Sequence, residues 1–195
     1  MSVPGTVRWT GRLIARNKLV SGSIAVFAVA AIVVSLLTSS AAARPPAPAA
    51  AGFSLTALGE PSAHVALSQY QGKPVIVNFW ASWCTDCQTE TPLLASWYKQ
   101  QVGRVDLVGL DENDTTAKAI AFAHAKGITY PVGSDPLTIA ASAYGVDALP
   151  QTFFLNAEHR IVERVYGAVT KAELAQGMSL MNASGTAGEK VITPP

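Results

Sequence analysis

Two cysteines occur in the whole chain, Cys84 and Cys87, separated by Thr85 and Asp86 and set just behind the apolar run Val75–Trp80. A pair so close together cannot form the multi-bridge framework that staples a small secreted fold. A zinc site would need two further ligands, and His64, His124 and His159 are not spaced as a pair. Haem attachment needs a histidine directly after the second cysteine, where Gln88 stands. A bridge closing so short a loop removes little unfolded-state entropy and makes a poor structural staple. No metal or cofactor is therefore expected, and the chemistry of the pair itself remains.

The local pattern suits redox work. Residues 75–80, VIVNFW, follow the turn Gly72-Lys73-Pro74 and predict a strand buried on both faces. From Thr85 onward Leu93, Leu94, Trp97, Tyr98 and Gln101 keep helical spacing, with Pro92 inside the helix as an expected kink. Both cysteines then sit at a helix N-terminus, whose unpaired N–H groups favour negative charge. Cys84 is expected to hold the nucleophilic thiolate and Cys87, one turn inside, to resolve the mixed disulfide. Glu90 lies three residues past Cys87 on nearly the same helix face, where it is either a proton relay or a solvated helix residue. Trp83 is either a partner-contacting shield for the sulfur edge or a partly buried aromatic at a turn.

Around this centre the chain predicts an α/β sheet with helices on both faces. Phe53–Thr56 and Val65–Leu67 suggest an N-terminal hairpin. Val105–Leu110 reads as a second buried strand, and Asp114 as N-cap of a helix running to Lys126 and closed by Gly127. Ile128–Val132 and a short helix over 136–144 follow. Thr152–Asn156 and Ile161–Tyr166 predict an antiparallel pair across the loop Ala157-Glu158-His159-Arg160. Thr170 and Glu173 form a capping box for a helix over 171–181. Residues 183–195 read as a flexible tail. The acidic run Asp111-Glu112-Asn113-Asp114 lacks the glycine and terminal glutamate of a calcium loop and reads as a solvated, helix-capping loop.

The N-terminus carries a different message. Residues 19–37, LVSGSIAVFAVAAIVVSLL, are uncharged, and about 19 residues at roughly 1.5 Å each reach across a ~30 Å hydrocarbon core. Five of the 14 Lys and Arg residues fall within residues 1–51, where no acidic residue occurs; the remaining nine face 13 Asp and Glu. The basic leader 1–18 is expected in the cytoplasm, with the rest exported. Ala41-Ala42-Ala43 could be a cleavage site, so the run is a signal peptide or an anchor, and its length favours the anchor. Residues 38–51 read as a Pro-rich linker and 52–182 as the globular domain. The folded part has no basic excess, so nucleic acid is not an expected partner.

VNFWASWCTDC, residues 77–87, resembles the active-site strand and turn of thioredoxins, and the wider pattern is similar to the TlpA, ResA and DsbE group of membrane-tethered thioredoxin-like proteins. The resemblance covers about 53–181. Pro92 matches the kink proline of the active-site helix, and Leu149-Pro150 matches the segment in which the family has a cis proline facing the dithiol. The longer stretch between Cys87 and Pro150 resembles the helix-strand insertion of that group. The fold so implied is a central mixed sheet flanked by helices, with an N-terminal hairpin and that insertion, preceded by one transmembrane helix. The resemblance further implies that Pro150 is cis, that Leu149 offers its backbone to a substrate strand, and that Glu90 serves the dithiol. Two departures stand out. Asn78 replaces the buried aspartate of thioredoxins and cannot carry a proton. Asp86 replaces an uncharged residue, and its charge should oppose the thiolate and favour a reducing couple.

The expected activity is reduction of disulfides in exported proteins at the outer face of a membrane, apocytochrome c being the substrate class implied, with a membrane electron carrier as the resupplying partner. A disulfide donor is the alternative, since couples of this fold range from about −270 to about −120 mV. A peroxiredoxin-type peroxidase is disfavoured, because Trp80-Ala81-Ser82-Trp83 precedes Cys84 without the peroxide-binding proline of that family.

Overall fold

The computed structural model describes residues 46–101, 103–183 and 190–192. The predicted membrane run 19–37 and the leader ahead of it lie outside the described residues, and among those described no helix is long and apolar enough to cross a membrane.

Strand β3 (Val75–Trp80) is the centre, and all six of its residues are buried. It can be apolar throughout because both faces are covered, the condition of a central strand in an α/β sheet. It pairs in parallel with β4 (Asp106–Glu112) and antiparallel with β6 (Gln151–Leu155). Beyond β4 lies the parallel β5 (Val132–Asp135), then the hairpin β1 (Ser54–Ala57) and β2 (Glu60–Ala66). Beyond β6 lies β7 (Ile161–Tyr166), and then β8 (Lys190–Ile192). The order β2-β1-β5-β4-β3-β6-β7-β8 makes one mixed sheet.

Alternation along β3 divides the core. Ile76 and Trp80 point to the layer that holds α1 (Thr85–Gln101), α2 (Thr116–Lys126) and α4 (Lys171–Asn182), represented there by Leu94, Phe122 and Leu174. Val75, Val77 and Phe79 point to the other layer, with Ala140, Ala141 and Tyr144 of α3 (Ile139–Tyr144). Close packing explains two glycines. A Cβ on Gly109 would sit 2.7 Å from Trp80 Nε1, and one on Gly177 would sit 2.2 Å from the Phe154 ring. Trp80 stacks on Phe122 at 4.9 Å, fixing α2 over the sheet.

The predicted hairpin, the central strands, the Thr170 capping box and the αL glycine at 127 all appear. Three expectations change. The N-cap of α2 is Thr115, not Asp114, whose carboxylate is drawn instead toward the cysteine turn. β5 begins at Val132, and the residues ahead of it form a connection in which the Pro131 carbonyl accepts Gly109 N–H at 2.9 Å. Residues 47–50, read as linker, are docked: Ala47 is buried, Pro48 O accepts Ile161 N–H at 2.8 Å, and Ala50 N–H donates to His159 O at 2.8 Å. Within the segment read as a flexible tail, residues 190–192 form β8, parallel to β7 with Arg164 opposite Val191.

Candidate active site

Cys84 and Cys87 are joined as a disulfide with S–S 2.13 Å and Cα–Cα 5.2 Å. Three parallel strands end at this edge of the sheet, and the loops that follow them build the surroundings, the usual position for a site in an open α/β sheet. Cys84 closes the turn after β3, its N–H bonded to Ala81 O at 3.2 Å. Cys87 lies in the first turn of α1, and its backbone N–H donates to Cys84 Sγ at 3.1 Å. That bond and the helix dipole both favour negative charge on Cys84 sulfur once the pair is reduced. Cys84 is 6% exposed and Cys87 fully buried, so an incoming group reaches Cys84 first.

The loop after β4 holds the cysteine turn from the side. Asp114 Oδ2 accepts Ser82 N–H at 2.7 Å, and Asn113 O accepts the Trp83 indole N–H at 3.0 Å. Trp83 is 56% exposed even so, leaving most of its ring free beside the disulfide. Just ahead of β6, Leu149 packs against both core layers, and Pro150 follows it in the cis form, as the resemblance implied. Pro150 O accepts Gly167 N–H at 2.9 Å.

Behind the disulfide, one turn further along α1, Glu90 is 2% exposed. Its Oε1 accepts from Asn78 Nδ2 at 2.8 Å and its Oε2 from Val169 N–H at 2.5 Å. Burial pushes its carboxyl up to about 7; those two hydrogen bonds work against the shift, while the charges of Glu173 and Asp86 add to it. The helix spacing placed Glu90 on the Cys87 side of the helix, and the structure excludes a solvated surface role for it.

Two acidic residues escaped the sequence reading, which placed them in a solvated loop. Asp114 braces the turn, as described. Asp111 is the last residue but one of β4, between Trp80 and Ser134; it is fully buried and has neither carboxylate oxygen hydrogen-bonded among the described residues. Burial pushes it up to about 7, with Asp114 and Asp135 adding. The signal was in the strand pattern, because Asp111 continues the register of β4 beyond Leu110. No group of three His, Cys, Asp or Glu among the described residues is arranged to hold a metal.

A mixed sheet with a disulfide at the N-terminus of the helix after its central strand, and a cis proline in the neighbouring loop, defines the thioredoxin-like class of thiol-disulfide proteins. Residues 46–164 match the AhpC/TSA family, and the chain belongs to it. It is 32% identical over 125 residues to the thiol-disulfide oxidoreductase ResA of Bacillus subtilis, covering 64% of this chain and 70% of that protein. Its match to ResA of Bacillus anthracis, also 32% identical, spans 64% of that relative's length. Among solved structures, a thiol:disulfide interchange protein of the thioredoxin family from Chlorobium tepidum is 26% identical with TM-score 0.61, covering 71% of this chain and 97% of that one. A DsbF homologue from Corynebacterium diphtheriae is 28% identical with TM-score 0.57, covering 69% of this chain and 87% of that one. The chain is a thiol-disulfide oxidoreductase of the ResA type.

Proposed function

We propose that this protein is a reductase of disulfides in exported proteins, held at the outer face of a membrane by residues 19–37. In the reduced protein Cys84 attacks one sulfur of a substrate disulfide, forming a mixed disulfide and releasing one substrate thiolate, which takes up a proton. Cys87 loses its proton to Glu90, attacks Cys84 Sγ and releases the second substrate thiolate. Two electrons pass to the substrate, and Cys84–Cys87 closes. Trp83, next to Cys84 in the chain, and Leu149-Pro150, just ahead of the strand that pairs with β3, would seat the substrate chain, the Leu149 backbone pairing with it.

The observation that carries this reading is Glu90. A reductase works from the dithiol, whose protons must leave, and a buried carboxyl pushed up to about 7 one turn behind Cys87 is suited to take one near neutral pH. Charge supports this direction against the pull of the helix N-terminus. Stabilising the thiolate makes a couple oxidising; the carboxyls of Glu90 and Asp86 oppose the thiolate and favour a reducing couple. The apocytochrome c cysteines remain the substrate class implied by the sequence resemblance, and a membrane electron carrier the resupplying partner.

The test is the reduction potential of the full-length protein equilibrated against glutathione and dithiothreitol buffers. A value of about −250 mV or lower is expected; one of about −150 mV or higher would make the protein a disulfide donor instead.

A further inference from the structure

Asn78 stands on β3 and is fully buried. Its Nδ2 donates to two acceptors at once, Glu90 Oε1 at 2.8 Å and Thr152 Oγ1 at 3.0 Å, while its Oδ1 has no partner among the described residues. This geometry serves an ionised Glu90. A neutral one poses a different problem. Oε2 receives the Val169 backbone N–H, which can only donate, so Oε1 is the oxygen on which a proton can meet a partner. Oε1 faces the Asn78 NH₂, and an O–H set against an N–H joins two donors with no acceptor.

The amide itself removes the conflict. Its O and N ends have the same shape, so a half-turn about χ2 places Oδ1 where Nδ2 was. Oδ1 then accepts from the Glu90 O–H and from the Thr152 hydroxyl, which rotates from acceptor to donor. Both neighbours reverse polarity together, and no heavy atom of the carboxyl moves.

We propose that Asn78 is a positioning residue whose amide half-turn lets Glu90 pass between its charged and neutral states while staying fixed behind Cys87. This deepens the relay reading of Glu90 and rests on it. The role explains why an amide stands where thioredoxins bury an aspartate. A second carboxylate would repel the charged Glu90, and as an acid it would compete with it for one proton. The other groups acting on Glu90 cannot follow its change of state. Asp86 on its own helix and Glu173 on α4 oppose its charge, the Val169 N–H only donates, and Tyr130, ahead of β5, is a buried phenol that feels the Glu90 charge from a third side. The disulfide between Cys84 and Cys87 carries no charge until it is reduced.

The experiment is an NMR pH titration, from about pH 5 to about pH 9, of the full-length protein labelled with ¹³C and ¹⁵N, in oxidised and reduced forms. It follows the Glu90 carboxyl carbon and the Asn78 side-chain NH₂. Both are expected to shift with one midpoint, the two amide protons changing environment as the carboxyl ionises. A Glu90 titration with silent Asn78 resonances would overturn the proposal and leave the relay reading intact. No Glu90 titration in this range would overturn both. Asn78→Asp is expected to raise the Glu90 midpoint by about one pH unit or more and to move the pH profile of disulfide reduction the same way. An unchanged midpoint in that variant would count against the proposal, and if the variant does not fold, the titration of the unsubstituted protein decides alone.

Discussion

At position 90 burial lifts the proton affinity of an ordinary helix carboxyl to about 7. Replacing Glu90 by Gln keeps the shape and the hydrogen bond from Val169 but removes the proton acceptor. Stopped-flow measurement of substrate reduction should find the resolving step slower by roughly 10²-fold near pH 7, with the inflection near that pH lost. Sequence spacing put Glu90 beside Cys87, yet its proton affinity depends on burial and on hydrogen bonds from residues elsewhere in the chain, Asn78 and Val169, which no local pattern carries. The same holds for Asp111. Its carboxylate has no partner among the described residues, so Asp111→Asn should stabilise the protein at about pH 8 by roughly 1–2 kcal/mol or more and have little effect below about pH 4, read from urea midpoints.

Among the elements, those with a strong local period were legible and those held by distant partners were not. β3 announced itself by its six apolar-rich residues and α4 by its capping box, in which Thr170 Oγ1 accepts Glu173 N–H and Glu173 accepts Thr170 N–H. Thr170→Ala should therefore cost about 1 kcal/mol in thermal or chemical unfolding. β8 is three residues long, too short for any period, and its strand character comes from the exposed edge of β7. Asp114 was misread for a related reason. An acidic residue ahead of a helix is a good cap by rule, but here Ser82 N–H competes for it from another loop. Helix α4 also tests packing. Gly177→Ala would drive a methyl into the Phe154 ring, so a loss of about 1–3 kcal/mol is expected even though alanine favours a helix, and a stabilising effect in a denaturant titration would contradict this packing.

At the scale of the whole molecule the two raised carboxyls tie stability to pH. Glu90 is raised from 4.5 and Asp111 from 3.8, each to about 7, so the folded state binds these protons more tightly than the unfolded chain does. Their stabilising contribution is complete below about pH 4 and is lost as pH rises through about 7, at up to ~1.4 kcal/mol per pH unit for each group. Between those limits the denaturant midpoint should fall with rising pH, and the fall should shrink in Glu90→Gln and again when Asp111→Asn is added. The chain holds its sheet together at β7 from both directions: Pro48 and Ala50 bond to the start of that strand and its preceding turn, and Lys190–Ile192 pair along it. If residues 19–37 anchor the domain as proposed, this arrangement would act as a fuse. Tension on the chain ahead of Pro46 loads the Ala50–His159 and Pro48–Ile161 bonds before it reaches β3, and their release would pay out about 3.3 Å of slack per residue while the disulfide edge stays unloaded.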